Sequence, residues 1–494
     1  MGVKPNILFI LSDDQGAWAM RCAGTPELYT PNLDRIAESG IRFDDFFCVS
    51  PVCSPARASL LTGNIPSAHG VLDWIRSGNV DGEKFAAQGK ENPYGSGYSM
   101  ERKPIAYLEG QTAYTDVLAQ NGYNCWLTGK WHLGDSVTPQ HGFQKWYTLG
   151  LGGCCYYHPD IVENGSIHVE HGRYVTELLT DKALEYLDEA AESENPFYLS
   201  VHYTAPHNPW GKEHHPKKWI DYYENCSFES IPDVEDHPDL LTGPVYGTDR
   251  RKENLRGYFA AISAMDEQIG RILEKLEETG MARDTIVIFS ADNGMSMGQH
   301  GVWGKGNATF PFNMYDSAVK VPFLMSCPGR LVQGVVNEDM ISGYDLFPTL
   351  LELAGIENPL EGELPGRSFA KDILEGNAEI QKGTAAAEDF IVIFNEYGPV
   401  RMIRDKEWKY IHRYPYGKHE LYHLTTDPGE ERNLYGQPEY EEKVLALRKK
   451  MENWFLRYAN PEIDATREGV TGSGQLCRPG IYADRPEVYP PVGT

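Results

Sequence analysis

The feature that most constrains the fold is a recurring pattern. An apolar run of strand length closes on charged, amide or imidazole side chains, and helical stretches lie between such runs. Asn6 to Ser12 is the first of these, flanked by Pro5 and by Asp13-Asp14. A run that is apolar almost throughout leaves no face for water, so it suits a strand covered on both sides, as parallel strands are. Tyr123 to Thr128 ends in Gly129-Lys130-Trp131-His132, and Phe197 to Tyr203 leads into Ala205-Pro206-His207. Thr285 to Ser290 ends in Ala291-Asp292-Asn293-Gly294, and Pro322 to Cys327 is a further strand candidate. Helical patterns cover Pro31 to Gly40, Thr112 to Asn121, Tyr174 to Ala191 and Leu255 to Thr279. The alternation predicts an α/β fold: a large, mostly parallel central sheet sandwiched by helices. Ligands bind at the C-terminal strand ends of such sheets. Asp13, Asp14, Lys130, His132, His207, Asp292 and Asn293 are therefore expected to converge on one rim.

After about residue 375 the texture changes. Phe390 to Asn395, Val400 to Arg404, Lys409 to His412 and Glu420 to Leu424 read as short strands, and Glu439 to Tyr458 as a helix. The expected division is a catalytic domain over 1–375 and a smaller α+β subdomain over 376–494, with a four-stranded antiparallel sheet, one helix and an extended tail. The tail from Asn460 is rich in Pro and Gly and is expected on another surface or on a neighbouring subunit, which would make an oligomer. Residues 77–106 have weak periodicity and read as a long surface insertion near a substrate entrance.

The 45 basic and 71 acidic residues give a formal charge of −26. No excess of Lys and Arg exists to neutralise phosphates, so nucleic acid is not an expected partner. An anionic ligand would need a local cationic cluster set against the global field. The opening residues do not resemble an export signal, and no stretch of 18 apolar residues occurs. The expected location is cytoplasmic, with no membrane partner. The nine cysteines are odd in number and scattered, which suits reduced thiols better than a disulfide framework. None has CxxC spacing, and the adjacent Cys154-Cys155 pair is poor geometry for a shared zinc.

Chemistry concentrates first at Cys53-Ser54-Pro55-Ala56-Arg57, continued by Ala58 to Gly63. Pro55 in a first helical turn would place Cys53 at a helix start, where free N–H groups favour an anion. Arg57, one turn on, can point to the same side. The stretch reads as a nucleophile on an anion-binding helix start, or equally as a buried structural cysteine at a loop–helix junction. Asp13, Asp14, Asp292 and the Asn293 amide oxygen are hard ligands suited to Ca²⁺ or Mg²⁺ rather than zinc. Taken singly, each is as easily a cap or a turn residue, so the joint pattern carries the reading.

These motifs resemble the type I sulfatases of the alkaline phosphatase superfamily. Cys53-Ser54-Pro55-Ala56-Arg57 with the following Leu-Thr-Gly segment is similar to the first signature of that family, and Gly129-Lys130-Trp131-His132 to the second. The stretch from Asn6 to Asp14, the Ala205-Pro206-His207 segment, Asp292-Asn293-Gly294, His300 to Lys305 and Glu420 to Glu430 resemble further family blocks, in family order. The resemblance implies that Cys53 is oxidised to a formylglycine by a maturation enzyme. It also implies that Ca²⁺, or Mg²⁺, is held by Asp13, Asp14, Asp292, Asn293 and an oxygen of the converted Cys53. Arg57 would support that cluster, Lys130 and Lys305 would grip sulfate oxygens, and His132 and His207 would move protons. The implied reaction is hydrolysis of an aryl or carbohydrate sulfate through a formylglycine diol and a sulfo-enzyme intermediate. Here Asp292 accepts a proton from the attacking hydroxyl, and His207, with Lys305, protonates the leaving oxygen. His132 deprotonates the second hydroxyl so that sulfate departs. A phosphate or phosphonate monoester hydrolase on the same site is the alternative, and a binding protein with a relict site is a third reading. For the substrate pocket the candidates are His69, Asp73, Trp74 and Arg76 after the first motif, with Tyr156, Tyr157, Trp210 and Trp303. Aromatic walls suit a phenol, a steroid or the face of a sugar.

Overall fold

A computed structural model describes residues 4–89, 95–374 and 392–492. Ten strands form one sheet. Across it they run Val335–Asn337, Ile41–Phe43, Phe323–Ser326, Thr285–Ala291, Asn6–Ser12, Phe197–His202, Asn124–Gly129, Lys145–Leu149, Asp160–Glu163 and Ser166–Val169. The five from Thr285–Ala291 to Lys145–Leu149 are parallel to one another. This centre carries the site. The side-chain period of two explains its continuous apolar runs. Ile7, Phe9 and Leu11 of the first strand enter one core with Leu60, Leu118 and Leu350. Leu8 and Ile10 enter the opposite core with Leu33, Leu179 and Ile269. Helices Cys53–Thr62, Tyr114–Gln120 and Leu346–Leu353 supply the first layer, and Pro31–Glu38, Val175–Ala191 and Arg250–Glu278 the second. The architecture is that of the expected α/β sandwich.

The flanks are mostly antiparallel, with only the edge strand Val335–Asn337 parallel to its neighbour Ile41–Phe43 among the described flank pairs. Phe323–Ser326 runs against both of its neighbours. Asp160–Glu163 and Ser166–Val169 form a hairpin across Asn164-Gly165, whose φ angles are 52° and 72°. Both angles are positive, as a two-residue primed turn requires, and Asn-Gly is the dipeptide that meets this most easily. Among the described residues, 77–106 are not a loose surface loop. They contain a helix over Gly82–Gly89 and a 3₁₀ turn over Gly95–Met100. The Glu101 carboxylate is buried and accepts N–H bonds from Gly78 and Asn79 and from the Asn79 amide, which ties the two ends of the lobe together. The expectation that it borders the entrance fits its position, because Asn79, Met100 and Glu101 line the main cavity.

The C-terminal sheet is antiparallel over Ile393–Tyr397, Val400–Arg404, Trp408–Arg413 and Glu420–His423, with helix Glu441–Tyr458 packed on it. The expected 375/376 boundary and the expected strand start at Phe390 lie outside the described residues. No described helix is long and apolar enough to cross a membrane. Of the two expected courses the tail takes the first: it lies on another surface of its own chain, with Gln475 bridging Ile75.

A buried ion cluster ties the small sheet to the large domain. Asp316 accepts from Lys409 at 3.0 Å and from Arg404 at 3.0 Å, and Lys409 also pairs with Glu430. Burial works to raise the Asp316 carboxyl, but Lys409 and Arg404 outweigh it and hold the group far below its ordinary range. Lys409→Ala would leave Asp316 and Glu430 facing each other without their shared cation. Breaking a buried pair in this way costs about 3–5 kcal/mol. We expect thermal unfolding monitored by circular dichroism to shift clearly downward in Lys409→Ala. An unchanged transition would show that the cluster contributes nothing to docking the two sheets.

Candidate active site

Register brings the acids together. Ser12 is paired with Ala291, and Leu11 and Gly129 are both level with His202. The residues that follow those strand ends, Asp13, Asp292 and Lys130, therefore emerge on one rim. The backbone is shaped to keep them there. Asp14 has φ 62°, its N–H donates to Asp292 Oδ1 at 3.1 Å, and its carbonyl accepts from the Tyr258 hydroxyl at 2.9 Å. At Gly129 a Cβ would lie 1.9 Å from the His202 carbonyl oxygen, so only glycine permits this approach.

Cys53 opens the helix Cys53–Thr62, every residue of which is buried. Pro55 stands in its first turn, where a missing N–H costs nothing. Arg57 lies one turn along. Its Nε donates to Asp292 Oδ2 at 2.9 Å and its Nη1 to the Lys130 carbonyl at 2.9 Å, while Nη2 lies 3.9 Å from Asp13 Oδ1. Lys130 Nζ donates to Asp13 Oδ2 at 2.6 Å. Lys305 arrives from the loop after strand Thr285–Ala291 and donates to Asp14 Oδ1 at 2.5 Å, with Cys53 Sγ at 2.7 Å. His207 Nε2 lies 3.6 Å from Asp14 Oδ2. His132 Nε2 donates to the Ile75 carbonyl at 2.9 Å.

Burial, followed by the Asp13 charge, pushes the Cys53 thiol well above its ordinary value. The thiol is therefore protonated and a poor nucleophile as it stands. Burial also opposes ionisation of Asp14 and Asp292. Lys305 overcomes this at Asp14 and Arg57 at Asp292, so both carboxyls sit below the usual range. At Lys130 and Lys305 burial is outweighed by Asp13 and Asp14 respectively, and both ammonium groups persist above their ordinary range. Burial and the nearby Lys130 hold His132 well below the usual imidazole value, so it rests as a neutral base.

The donor set fits a hard divalent cation. Ligand oxygens of Asp13, Asp14 and Asp292 lie within 4.8 Å of one another. The Asn293 side chain is buried among them, and its Oδ1 has no hydrogen-bond partner. An orphaned buried acceptor beside clustered carboxylates is the chemistry expected of a Ca²⁺ or Mg²⁺ ligand.

A cavity of about 1160 Å³ opens above this floor. Trp74, Arg76, Trp210 and Trp303 line it, as do Asp14, Cys53, Lys130, His132, His207 and Lys305. Two pocket candidates are corrected. His69 is buried behind the helix and bonded to Ser59 Oγ at 3.0 Å, and burial lowers it to about 3. Tyr156 is likewise buried, its hydroxyl donating to the His207 carbonyl at 2.6 Å, so it braces that histidine from behind. Both lie off the cavity because their polar atoms find partners inside the domain, His69 in Ser59 Oγ and the Val71 N–H and Tyr156 in the His207 carbonyl. Tyr157 packs on Tyr174, and the Asp73 carboxylate is spent on backbone N–H groups. Sequence reading missed His202, whose Nδ1 donates to the Lys130 carbonyl at 3.1 Å. Its place at a central strand end was the available signal. It also missed Asn79, Asn254, Asn307 and Ser473 on the cavity wall, for which no local signal existed.

Asp292→Ala removes a carboxylate shared by Arg57 and the acidic cluster. We expect the bound divalent cation, measured by elemental analysis of purified protein, to fall sharply. We also expect stability to drop by about 3–5 kcal/mol, because the Arg57 charge loses its closest partner. Retained metal at the wild-type level would exclude Asp292 from the metal site.

Comparison with known proteins follows the same lines. The sulfatase family model matches residues 5–356, and the model of the N-sulphoglucosamine sulphohydrolase C-terminal region matches residues 298–456. The N-acetylglucosamine-6-O-sulfatase of Bacteroides thetaiotaomicron is 28% identical, over 93% of this chain and 88% of the relative. The ulvan-active sulfatase of Formosa agariphila is 30% identical, over 89% of this chain and 78% of the relative. A solved structure of a protein in complex with its substrate D-glucosamine-2-N,6-O-disulfate aligns with TM-score 0.75 at 25% identity. It covers 94% of this chain and all of that one. The buried acid–lysine–arginine knot thus belongs to a sulfuric ester hydrolase, and the chain is a member of the sulfatase family with the alkaline phosphatase-like fold.

Proposed function

We propose that this sulfatase acts on carbohydrate sulfates and that the residues at the cavity floor divide the chemistry between them. The observation that carries the substrate reading is the cavity wall. Trp74, Trp210 and Trp303 line it together with Asn79, Asn254 and Asn307. Flat apolar faces interleaved with hydrogen-bonding groups suit a sugar ring, which has both. A purely aryl ligand would have no use for the amides. The similarity to an N-acetylglucosamine-6-O-sulfatase and to an ulvan-active sulfatase supports the same reading.

Lys130 and Lys305 are the anion grip. Lys130 is held charged by Asp13, and Lys305, beside Cys53 Sγ, by Asp14. Arg57 adds a third cation, so the three carboxylates of the floor are balanced locally inside a chain of net charge −26. Asp13, Asp14, Asp292 and Asn293, with an oxygen at position 53, would hold the divalent cation, for which Ca²⁺ is the preferred assignment. When bound, that cation neutralises sulfate charge and lowers the pKa of a coordinated hydroxyl. Cys53 is the precursor of a formylglycine, which supplies the hydroxyl nucleophile that a protonated thiol lacks. In this reading Asp292 accepts the proton of the attacking group. His207, half-buried and 3.6 Å from Asp14, delivers a proton to the departing sugar oxygen. His132, neutral and buried, takes the proton that allows sulfate to leave. Each transfer uses a group whose resting charge suits its task.

The test has two parts. A tryptic peptide spanning Cys53 should show the mass loss of thiol-to-aldehyde conversion, and activity should track the converted fraction. Full activity from wholly unconverted protein would overturn the mechanism. On converted enzyme, a panel of sulfated sugars and aryl sulfates should show higher kcat/KM for a sugar. One aryl group carried on sulfate, phosphate and phosphonate should be released fastest from sulfate. Preference for phosphonate would favour the alternative hydrolase. Lys130→Ala and Lys305→Ala should each lower kcat/KM by about 10²–10³, the usual effect of losing one charge-stabilising donor.

A further inference from the structure

The tail returns to the reaction centre. Gln475 is fully buried and joins Ile75 in a parallel bridge. Its N–H donates to the Trp74 carbonyl at 2.7 Å, and its carbonyl accepts from the Arg76 N–H at 2.9 Å. Its side-chain amide is also fully engaged. Oε1 accepts from the N–H of Leu72 at 2.8 Å and of Asp73 at 3.3 Å, and Nε2 donates to the carbonyls of Gly70 at 3.0 Å and Cys477 at 2.9 Å. Asp73 closes the clasp from the other side. Its carboxylate accepts from Gly474 N–H at 3.0 Å, Trp74 N–H at 2.9 Å and the Tyr397 hydroxyl at 2.5 Å. Residues 70–76 are thus pinned by a segment 400 positions away in sequence.

What this pinned segment holds is Ile75. Its N–H donates to Ser54 Oγ at 3.0 Å, beside Cys53. Its carbonyl accepts from His132 Nε2 at 2.9 Å. A carbonyl only accepts, so Nε2 carries the ring hydrogen and Nδ1 keeps the lone pair. His132 Nδ1 is buried and has no hydrogen-bond partner in the protein. Gly152 walls off the ring: a Cβ there would lie 2.1 Å from Nε2 and 2.4 Å from both Cδ2 and Cε1. Any side chain at 152 would have to push the imidazole away from the Ile75 carbonyl.

We propose that the C-terminal tail is part of the catalytic frame: Gln475 clamps the 70–76 segment so that the Ile75 carbonyl fixes His132 with Nδ1 as its proton-accepting atom, while Gly152 holds the ring in place. Gln475 and Gly152 are positioning residues. This rests on the reading of His132 as the base given above. When Nδ1 takes a proton, the Nε2–H bond to Ile75 persists, and the carbonyl dipole stabilises the imidazolium. The tautomer therefore does not change during turnover.

Two measurements test this. The first is the ring ¹⁵N NMR of ¹⁵N-histidine-labelled protein, with His132 assigned by subtracting the spectrum of His132→Gln. It should show a neutral ring protonated at Nε2 in the wild type. In Gln475→Ala and Gly152→Ala it should show a shifted or averaged pattern. The second is kinetics on formylglycine-converted, metal-loaded enzyme. Gly152→Ala should lower kcat by about 10²-fold with KM little changed, since a displacement near 1 Å at a reacting group costs about that much. Gln475→Ala should also lower kcat, and Gln475→Glu should recover part of the loss, because its carboxylate still accepts from Leu72 and Asp73. A wild-type ring protonated at Nδ1 would overturn the proposal, as would wild-type kcat in folded Gly152→Ala, or a loss in Gln475→Ala confined to KM. Should Gln475→Ala fail to fold, the wild-type spectrum and Gly152→Ala decide. Absence of sulfatase turnover, or unchanged kcat in His132→Ala, would instead overturn the reaction reading, and the spectrum would still report the tautomer.

Discussion

The Arg57 guanidinium is the interaction on which the rest of the site depends. It is buried, and it ties the Cys53 helix to two strand ends at once: to Asp292 through Nε and to the Lys130 carbonyl through Nη1. A charge taken this far from water is tolerable only with a charged partner and shaped acceptors. Asp292 supplies the first, and the rim of the parallel sheet supplies the second. In return, the arginine holds the Asp292 carboxyl ionised against a burial penalty that would otherwise neutralise it. The same fork sets the helix start, and with it Cys53, at a fixed height above the acids.

The knot also resolves the charge problem of an acidic protein that binds anions. Asp13, Asp14 and Asp292 face Arg57, Lys130 and Lys305, so the cluster is close to neutral before any ligand enters. A divalent cation held there would tip it positive, and only locally, because burial keeps the field from being screened. The remaining acids of the chain can then serve solubility without opposing substrate. On the described cavity wall above the knot Glu101 is spent on backbone N–H bonds, and the amides of Asn79, Asn254 and Asn307 stand with the cations Arg76 and Arg250. The space above the knot is therefore shaped by amides, tryptophans and two arginines rather than by further carboxylates competing with an anion.

Much of the fold was legible because burial on both faces leaves a mark in the sequence. Asn6–Ser12, Phe197–His202 and Thr285–Ala291 are apolar nearly throughout, and each stops within a residue or two of where its run ends. The short flanking strands left no such mark. Lys145–Leu149 and Ser166–Val169 are too brief and too mixed to stand out, although Asn164-Gly165 was a turn signal available to be used. In the site, Asp13, Lys130 and Asp292 were legible as strand-end residues. Ring type, by contrast, is a weak guide to position. His69 and Tyr156 have the chemistry of pocket residues and lie in the core, where Ser59 Oγ and the His207 carbonyl satisfy their polar atoms. The extended tail was recognised as irregular, but its partner was not. Hydrogen bonds from Gln475 to backbone groups of residues 70–73 depend on no pattern that a sequence repeats.

By itself, the sequence determined the centre of the sheet and, through its resemblance to a known family, the reaction class. Periodicity reports burial, and the residue types at the ends of buried strands report which charges can be gathered there. Tertiary structure decided which atoms meet. It set Lys305 against Cys53 from a distant loop, placed the Asn293 oxygen among the carboxylates, left His132 Nδ1 as the open atom, and brought the tail across the 70–76 segment. The physical reason is range. Strand and helix formation are set by neighbours within a few residues, whereas hydrogen-bond direction and close approach in a buried site are set by backbone positions hundreds of residues apart.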